Sequence, residues 1–275
     1  MTKDASLRTG SECSFFPFKG VAFPKRNAFF KATLGALFLL FLFFCLWNGR
    51  QRYVRMKDVE RRATSMSSVC LGLMNACETY GQTIAPNVLD ENGEKILSWR
   101  AVIVPFLFCP NPCPDMNQAW NSPKNLTVFS TYSQCYGPMD VYCYENKDYD
   151  SIMDETANVF AFTGKDSFFD SERPTSYQSA PPDMIVLIEL GASKTFWAAP
   201  CDFEDICKLY NDDKGINEIL GVDNKGFLVA FCDGSVWYLK KDAPIETIKR
   251  LSTVTGVSQT TREQELRGYV LKKFR

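Results

Sequence analysis

The strongest constraint on this chain is one uncharged apolar run near its N-terminus. Residues 32–47 read ATLGALFLLFLFFCLW, sixteen residues without a charged side chain. Extending the run back to Ala28 gives twenty residues with one charge, Lys31, whose long side chain can reach the interface. At about 1.5 Å per residue, a helix of that length covers roughly 30 Å, the hydrocarbon thickness of a bilayer. We therefore predict a membrane-spanning helix over residues 28–47.

Two alternative interpretations of this apolar run are compatible with the sequence. A cleaved signal peptide is suggested by Lys25 and Arg26 before the run, but no small-x-small cleavage pattern follows, only WNGRQRYVR. A buried core helix is an unusual place for so many Phe and Leu side chains. We favour an uncleaved anchor whose contact with the lipid bilayer is made by Ala28, Phe29, Phe30, Leu34, Leu37, Phe38, Leu39, Leu40, Phe41, Leu42, Phe43, Phe44, Leu46 and Trp47.

Two features disagree about the side of the membrane on which the C-terminal part lies. The flanking basic residues are Lys19, Lys25, Arg26 and Lys31 before the span, and Arg50, Arg52, Arg55, Lys57, Arg61 and Arg62 after it. By the positive-inside rule, this distribution favours a cytoplasmic C-terminal part. Nine of the eleven cysteines follow the span, which favours an oxidising compartment. We give more weight to the cysteines, together with the family resemblance described below, and predict an extracytoplasmic head on a single-pass protein, which that resemblance places in the inner membrane.

The cysteines predict disulfides more readily than a metal site. The candidates are Cys109, Cys113, Cys135, Cys143, Cys201 and Cys207, and the sequence does not determine how they pair. A zinc site using Cys109, Cys113, Cys201 and Cys207 is an alternative, but the spacing is not that of a compact zinc knuckle. The acidic residues Asp148, Asp150, Asp154 and Glu155 could bind calcium, yet they lack the order of an EF-hand. We predict no metal and no cofactor.

Composition excludes several classes of function. The chain contains no histidine, which excludes histidine-based catalytic triads and histidine-containing zinc proteases. Its 31 basic residues nearly balance its 32 acidic ones, so no nucleic-acid partner is predicted. A Cys-x-x-Cys redox motif is absent from the sequence.

The clearest periodic pattern follows the span. Apolar residues recur at spacings of three and four, which predicts an amphipathic stem helix over residues 50–81, ending near Gly81. This stripe consists of Met56, Val59, Ala63, Met66, Cys70, Leu73, Cys77 and Tyr80. It is predicted to pack on the protein's own head. The alternative is a coiled coil with another copy, so other copies or envelope proteins are candidate partners through this helix.

The rest of the chain is predicted to form a head of strands and loops. Asn92-Gly93 and Asp233-Gly234 each separate two β-prone runs and predict hairpins, the second with a type I′ turn. The segments are a strand over 84–89, a strand over 95–104 ended by Pro105, long connections over 109–158, strands over 159–163, 184–190, 227–232 and 235–239, and a helix over 245–254 closed by Gly256. In the second strand, Trp99 and Arg100 would face opposite ways, which predicts a buried Trp99 and a surface Arg100.

The predicted architecture is therefore α+β. An N-terminal transmembrane helix continues into a long stem helix, and an antiparallel-sheet-rich head with a C-terminal hairpin and helix follows, a head that the resemblance described next implies to be pilin-like. The predicted boundaries are a flexible tail at 1–27, the span at 28–47, the stem at 50–81, the head at 82–256 and a polar, basic tail at 257–275.

Five short motifs occur in order between the stem and residue 256: LMNACETYG ending the stem, DENG with LSWR and VPFL, AWNSPKN, FWAAPCDF and FCDGSV. In these motifs the chain resembles the large bacterial family named domain of unknown function 1559, abundant in planctomycetes, whose members are similar to type IV pilins and type II secretion pseudopilins. Asn121 replaces the family's acid in the third motif. The matching positions are Ser98, Trp99, Arg100, Trp120, Pro123, Asn125, Trp197, Pro200, Asp202, Asp233, Gly234 and Ser235.

The resemblance implies an anchor with its N-terminus inside, a long stem helix and a non-enzymatic head outside the cytoplasmic membrane. Prepilins are cut after a glycine that precedes an uninterrupted apolar helix carrying a glutamate. Here Gly20 is followed by Pro24 and Lys25, and the span has no glutamate. We therefore expect a permanently anchored relative that is not processed in this way.

The predicted function is a membrane-anchored envelope protein that presents a non-catalytic head for protein contacts. The alternative is a membrane-tethered module that binds a solute or glycan, suggested by the head's many aromatic residues. That alternative requires a cleft lined by Trp99, Trp120, Trp197 or Trp237. A hydrolase is a third possibility, but no motif positions a pair of carboxylates for such chemistry.

Overall fold

The computed structural model describes residues 26–108, 113–136, 156–170, 179–191, 195–209, 215 and 218–274. The helices are α1 (Arg26–Tyr80), α2 (Trp99–Phe108), α3 (Pro123–Tyr136), α4 (Phe203–Leu209), α5 (Ile245–Leu251), α6 (Val254–Gln259) and α7 (Arg262–Leu266). The strands are β1 (Asn87–Leu89), β2 (Lys95–Ser98), β3 (Val159–Ala161), β4 (Ile185–Glu189), β5 (Gly226–Phe231), β6 (Val236–Lys240) and β7 (Val270–Phe274). The chain divides into two compact units, Met1–Val54 and Arg55–Arg275.

The first unit contains the apolar part of α1. Every described side chain from residue 33 to residue 54 is exposed, and the large apolar ones between Leu34 and Trp47 are 40–73% exposed. Among the described residues, α1 is the one helix long and apolar enough to cross a membrane. A core helix buries at least one face, whereas the apolar window of this helix buries none. The buried-core alternative therefore loses its support. The predicted tail up to residue 25 lies outside the described residues.

The second unit buries the apolar stripe of the stem in its own core. Val59, Ala63, Met66, Cys70, Leu73 and Cys77 are buried and belong to the same hydrophobic cluster as the sheet residues. Only the ends of the stripe differ, since Met56 is half-buried and Tyr80 is exposed. The helix ends where the sequence predicts, with Gly81 in the left-handed region at φ +73°. The prediction that the stripe packs on its own head is confirmed.

Two antiparallel sheets form the head. The small sheet is the β1–β2 hairpin predicted from Asn92-Gly93, with Asn87 opposite Ser98. The large sheet has the order β3-β4-β5-β6-β7, and every neighbouring pair in it is antiparallel. The predicted strands at 159–163, 184–190, 227–232 and 235–239 all fall within it. The mixed α+β class is therefore correct.

The strand predicted over 95–104 is wrong in its second half. The strand ends at Ser98, and α2 begins at Trp99 and runs through Pro105. A short apolar run such as AVIVPFLF does not distinguish a buried helix from a strand by periodicity. The change of element matters because adjacent residues on a helix lie about 100° apart, so Trp99 and Arg100 can both face the core. Both are fully buried, and the predicted surface position of Arg100 is wrong.

Three further features of the fold differ from the prediction. The connections expected over 109–158 include the fourteen-residue helix α3. The turn at Asp233-Gly234 is not type I′, because positive φ occurs at Gly234 but not at Asp233, and Gly234 N–H donates to the Phe231 carbonyl at 2.9 Å. This is a type I turn followed by a left-handed glycine. The helix predicted to close at Gly256 ends at Leu251, and Gly256 lies inside α6.

The segment 257–275 is not a tail outside the head. It contains α7 and β7, and β7 pairs with β6 from Val236↔Phe274 to Leu239↔Val270. Polar composition suggested a tail because β7 alternates half-buried and exposed positions and carries two lysines. Such a pattern is typical of an edge strand, where lysine opposes pairing with other sheets.

Gly256 provides a test of this C-terminal packing. A Cβ at this position would lie 1.9 Å from the Arg250 carbonyl oxygen, a backbone atom that cannot move aside cheaply. We expect Gly256→Ala to lower the free energy of unfolding by about 2 kcal/mol or more. The matched control is Gly268→Ala, since nothing lies within 4 Å of a Cβ there. Denaturant titration of the detergent-solubilised chain measures both, and equal effects would contradict the packing described.

Candidate functional site

The first polar cluster of the head surrounds Arg62, which α1 places beneath the sheet. Its side chain is 1% exposed. Nε donates to Asp58 at 3.1 Å, and Nη1 donates to Glu189, a fully buried residue of β4. Nη2 donates to Asp223 at 2.5 Å, in the loop before β5. One guanidinium thus binds carboxylates from three parts of the chain.

The carboxylates around Arg62 are themselves held by other bonds. Glu189 also accepts from the Leu228 N–H at 3.1 Å. Asp223 accepts from the Tyr238 hydroxyl at 2.7 Å and from the Lys225 N–H at 2.8 Å. Burial alone would raise the pKa of Asp223, but these hydrogen bonds and Arg62 bring that pKa below its ordinary value. Burial and the bond to Asp223 raise the pKa of Tyr238. The cluster fastens the stem to β4, β5 and β6.

The sequence predicts Arg62 only as one of the basic residues that flank the span, and not as a buried residue. The signal that could have identified it is its place on the stripe, three residues after Val59 and four before Met66. A charged residue on an apolar face predicts a buried partner of opposite charge, since an unpaired buried charge is too costly. The sequence does not indicate which acid supplies that charge, because Glu189 is distant along the chain.

The second cluster brings together two of the sequence motifs. Trp99 Nε1 donates to Asp202 Oδ1 at 2.9 Å, which joins the start of α2 to the residue before α4. Arg100 Nε donates to the Val159 carbonyl at 2.8 Å, and its Nη1 donates to Ser98 Oγ at 2.8 Å. Both Nη groups also donate to the Cys201 carbonyl at 3.2 Å. The motif residues therefore act as one buried hydrogen-bonded unit.

Arg100 also lies between two aromatic rings. Its guanidinium carbon is 4.6 Å from the centroid of Phe160 and 5.1 Å from that of Trp99. Cation–π contacts of this kind are stronger when the cation is desolvated. The contact between Arg100 and Asp202 is longer, at 3.7 Å from Arg100 Nη2 to Asp202 Oδ1. The arginine is thus held mainly by carbonyl oxygens and ring faces rather than by a close carboxylate.

Asp202 is the most perturbed carboxyl in this cluster. Burial raises its pKa to about 6, although the nearby Arg100 and the bond from Trp99 act in the opposite direction. Its Oδ2 atom is buried and has no hydrogen-bond partner among the described residues. A carboxyl in this position is therefore partly protonated near neutral pH.

In the third motif, the side chain of Asn125 holds the loop before α3 in place through hydrogen bonds to its backbone. The Asn125 side chain donates to the carbonyls of Asp115, Gln118 and Ala119 at 3.0–3.1 Å and accepts from the Asp115 N–H at 2.7 Å. Pro123 opens α3 immediately before it. All the hydrogen-bonding groups of this amide are used within the loop, so Asn125 has a structural role.

The tryptophans named for a binding cleft lie in or against the core. Trp99, Trp197 and Trp237 are buried, and Trp120 is half-buried, stacked on Phe196 at 5.1 Å between ring centroids. Trp197 packs edge-on against Phe129 at 4.9 Å between ring centroids, and Pro200 of the same motif is half-buried. Trp99 and Trp197 therefore give the solute- or glycan-binding alternative no support, whereas Trp237 also lines a depression beside Arg262.

Arg262, from α7, binds two residues of the last motif. Its Nη1 donates to Asp233 at 3.0 Å and to Ser235 Oγ at 2.8 Å, and its Nε contacts Asp183 at 3.0 Å. Although burial raises the pKa of Asp233, the hydrogen bonds from Arg262 and Ser235 lower it to about 2. A depression of about 360 Å³ lies beside this pair, with Trp237 and Lys273 in its wall. The sequence motif supplied Asp233, Gly234 and Ser235 but not Arg262.

The cysteine and acidic candidates are only partly covered by the structure. Cys109, Cys143 and the acidic residues between 148 and 155 lie outside the described residues, as does the side chain of Cys135. Cys113 is exposed, and Cys201 and Cys207 are half-buried. No disulfide joins two cysteines of the described part of the chain. Within that part, no three acidic or cysteine side chains are grouped to hold a metal ion.

Comparison of the chain with protein-family models, with curated proteins and with solved structures finds no match.

Arg62 is the residue whose loss should damage the head most. Arg62→Met keeps an unbranched side chain but leaves Glu189 buried without its cation, so we expect the free energy of unfolding to fall by about 3–5 kcal/mol. Arg61→Met is the matched control, because the pair of Arg61 with Asp58 is solvent-exposed and its loss should cost less than about 1 kcal/mol. Denaturant titration in detergent measures both. Similar values for the two variants would contradict the role given to Arg62.

Asp202 should give the head a pH-dependent stability of defined sign. Its folded-state pKa of about 6 lies above the ordinary value of 3.8 for an aspartate, so the folded state binds the proton more tightly. Proton binding at Asp202 therefore contributes at most about 3 kcal/mol to the free energy of unfolding. This contribution is present in full below about pH 4 and is lost as the pH rises through 6. Asp202→Asn removes the titration while keeping an acceptor for Trp99.

The measurement is the difference in free energy of unfolding between the native chain and Asp202→Asn at pH 5 and pH 7. We expect the native chain to lose stability relative to the variant as the pH rises. Using the difference cancels the titration of Glu204, whose pKa burial also raises. Parallel pH profiles for the two chains would show that Asp202 does not titrate in this range.

Proposed function

We propose that this chain is a single-pass membrane-anchored protein of the cell envelope that presents a non-catalytic, pilin- or pseudopilin-like head for contacts with other proteins. One observation carries the proposal. The helix α1 contains an apolar segment with no buried residue and, further along, the stripe that the head buries in its core. Because the stem stripe is an internal part of the head, the head is fastened to the helix that would cross the bilayer.

The polar clusters favour a structural rather than a catalytic head. The guanidinium groups of Arg62, Arg100 and Arg262 are each bound by acceptors from separate elements. Their acidic partners Glu189 and Asp202 are buried, away from any substrate in solution. Groups engaged in this way fix the positions of helices and strands. They are therefore poorly placed for proton transfer to a bound molecule.

Contacts with other copies or envelope proteins, if made through the stem, would use its outer face. The stripe first considered for a coiled coil is occupied by the head's own core. On the other face, Leu71 is 59% exposed and lies among polar residues such as Thr64 and Ser68. We place the head outside the cytoplasm and the anchor in the inner membrane, as the cysteine content and the family resemblance imply.

Charges introduced into the span test the anchoring. Leu40 and Phe41 lie near its middle, and each arginine placed there costs about 2.5–3.5 kcal/mol of insertion free energy. We expect the native chain to stay in the membrane pellet after alkaline carbonate extraction and Leu40→Arg/Phe41→Arg to be released in large part. The control is Leu71→Arg, on the same helix and similarly exposed, at 59% against 65% for Leu40. Release of the native chain by carbonate would overturn the proposal.

The side of the membrane is tested separately. A protease added to intact spheroplasts should digest an extracytoplasmic head, whereas the same protease added to inverted vesicles should leave it intact. The opposite pattern would place the head in the cytoplasm and leave the anchoring unaffected.

A further inference from the structure

Two arginines directly follow the apolar segment in the first unit. Arg50 and Arg52 lie three and five residues after Trp47 on α1, and both are exposed. Neither makes an ion pair with any residue in the described part of the chain. The sequence has no acidic residue between Glu12 and Asp58, so their own segment offers no carboxylate. Both arginines therefore keep a full, uncompensated positive charge.

Three of the basic residues that come next differ in this respect. Lys57 pairs with Glu60 at 3.1 Å, and Arg61 pairs with Asp58 at 3.1 Å. Arg62 is enclosed with Glu189 and Asp223. The charges of these three residues are thus compensated within the second unit. The basic residues that follow the span therefore divide into these three compensated side chains, the half-buried Arg55, which has no ion pair with a described residue, and the exposed, uncompensated Arg50 and Arg52.

The position of Arg50 and Arg52 along the helix matches the headgroup layer. At about 1.5 Å per residue they lie about 5 and 8 Å beyond Trp47, and each headgroup layer is about 5–8 Å thick. Trp47 and Tyr53 flank them and are 51% and 64% exposed. Tryptophan and tyrosine concentrate at membrane interfaces because they combine an apolar ring with a polar group.

We propose that Arg50 and Arg52, together with Trp47 and Tyr53, form an arginine collar that binds the phosphates of anionic phospholipids in the leaflet next to the head. The proposal rests on the membrane-spanning function proposed above. A guanidinium group binds phosphate through two parallel hydrogen bonds and a full charge. Anionic lipids are favoured over zwitterionic ones because the latter carry their own ammonium group, which competes for the phosphate. The attraction amounts to about fivefold for each arginine, the equivalent of about 1 kcal/mol.

Lipid selectivity of the full chain tests the collar. The protein is reconstituted in vesicles of phosphatidylcholine with one fifth phosphatidylglycerol and then extracted in mild detergent. The lipids retained per chain are measured by native mass spectrometry. We expect the ratio of phosphatidylglycerol to phosphatidylcholine among the retained lipids to be at least about fivefold the ratio in the vesicles, and this enrichment to fall as sodium chloride rises from 0.05 to 0.5 M. In Arg50→Gln/Arg52→Gln the enrichment should disappear.

Two further variants separate the collar from a general effect of charge. Lys225→Gln/Arg267→Gln removes two charges from exposed head residues that make no ion pair with other described residues, and it should keep the enrichment. Arg50→Lys/Arg52→Lys keeps both positive charges but loses the two parallel hydrogen bonds of each guanidinium group, so it should retain part of the phosphatidylglycerol enrichment. Equal enrichment in the native chain and Arg50→Gln/Arg52→Gln, or equal loss in the head variant, would overturn the collar.

Carbonate extraction of the same chains distinguishes a failure of the collar from a failure of the anchor. If the native chain and Arg50→Gln/Arg52→Gln both stay in the membrane pellet, the lipid measurement decides on the collar alone. If the native chain is released, the span does not exist and the collar is overturned with it.

Discussion

A guanidinium group buried against the sheet is the constraint on which the head depends. Arg62 must be placed where burial of the α1 stripe puts it, and a charge in that position requires anionic partners close by. Those partners come from β4 and from the loop before β5, and the Tyr238 hydroxyl of β6 binds one of them. The strand register of the sheet and the position of the stem helix are therefore fixed together, because neither can shift without leaving a buried charge unpaired.

The same physical arrangement recurs at two other places in the head. Arg100 joins α2 to β3 and to the segment before α4, and Arg262 joins α7 to the turn between β5 and β6. In each case one residue with several donors replaces many weaker contacts between elements that are distant in sequence. A head stabilised internally in this way keeps a fixed outer surface, which suits the proposed role of presenting that surface to other proteins.

Several features could be predicted from local patterns in the sequence. The span, the stem stripe and both hairpins depend on residue spacing and turn chemistry within about twenty residues. The structure places the stem stripe and the two hairpins in the predicted segments, apart from the turn type at Asp233-Gly234, and shows the predicted span as an exposed apolar helix. The ordered motifs also identified Trp99, Asp202, Asn125 and Asp233, but not what they bind. The type of α2 could not be predicted, since the run after Ser98 is too short for its periodicity to distinguish a helix from a strand.

The sequence by itself determined that one segment is a long uncharged apolar run and that the following helix has one apolar face. These properties follow from composition and period, which are local. Only the tertiary structure decided that Arg62 meets Glu189, that Trp99 meets Asp202, and that residues 270–274 form the edge strand of the sheet. Each of these contacts joins residues far apart along the chain, and pairing at such distances is set by how the whole core closes, which no local pattern encodes.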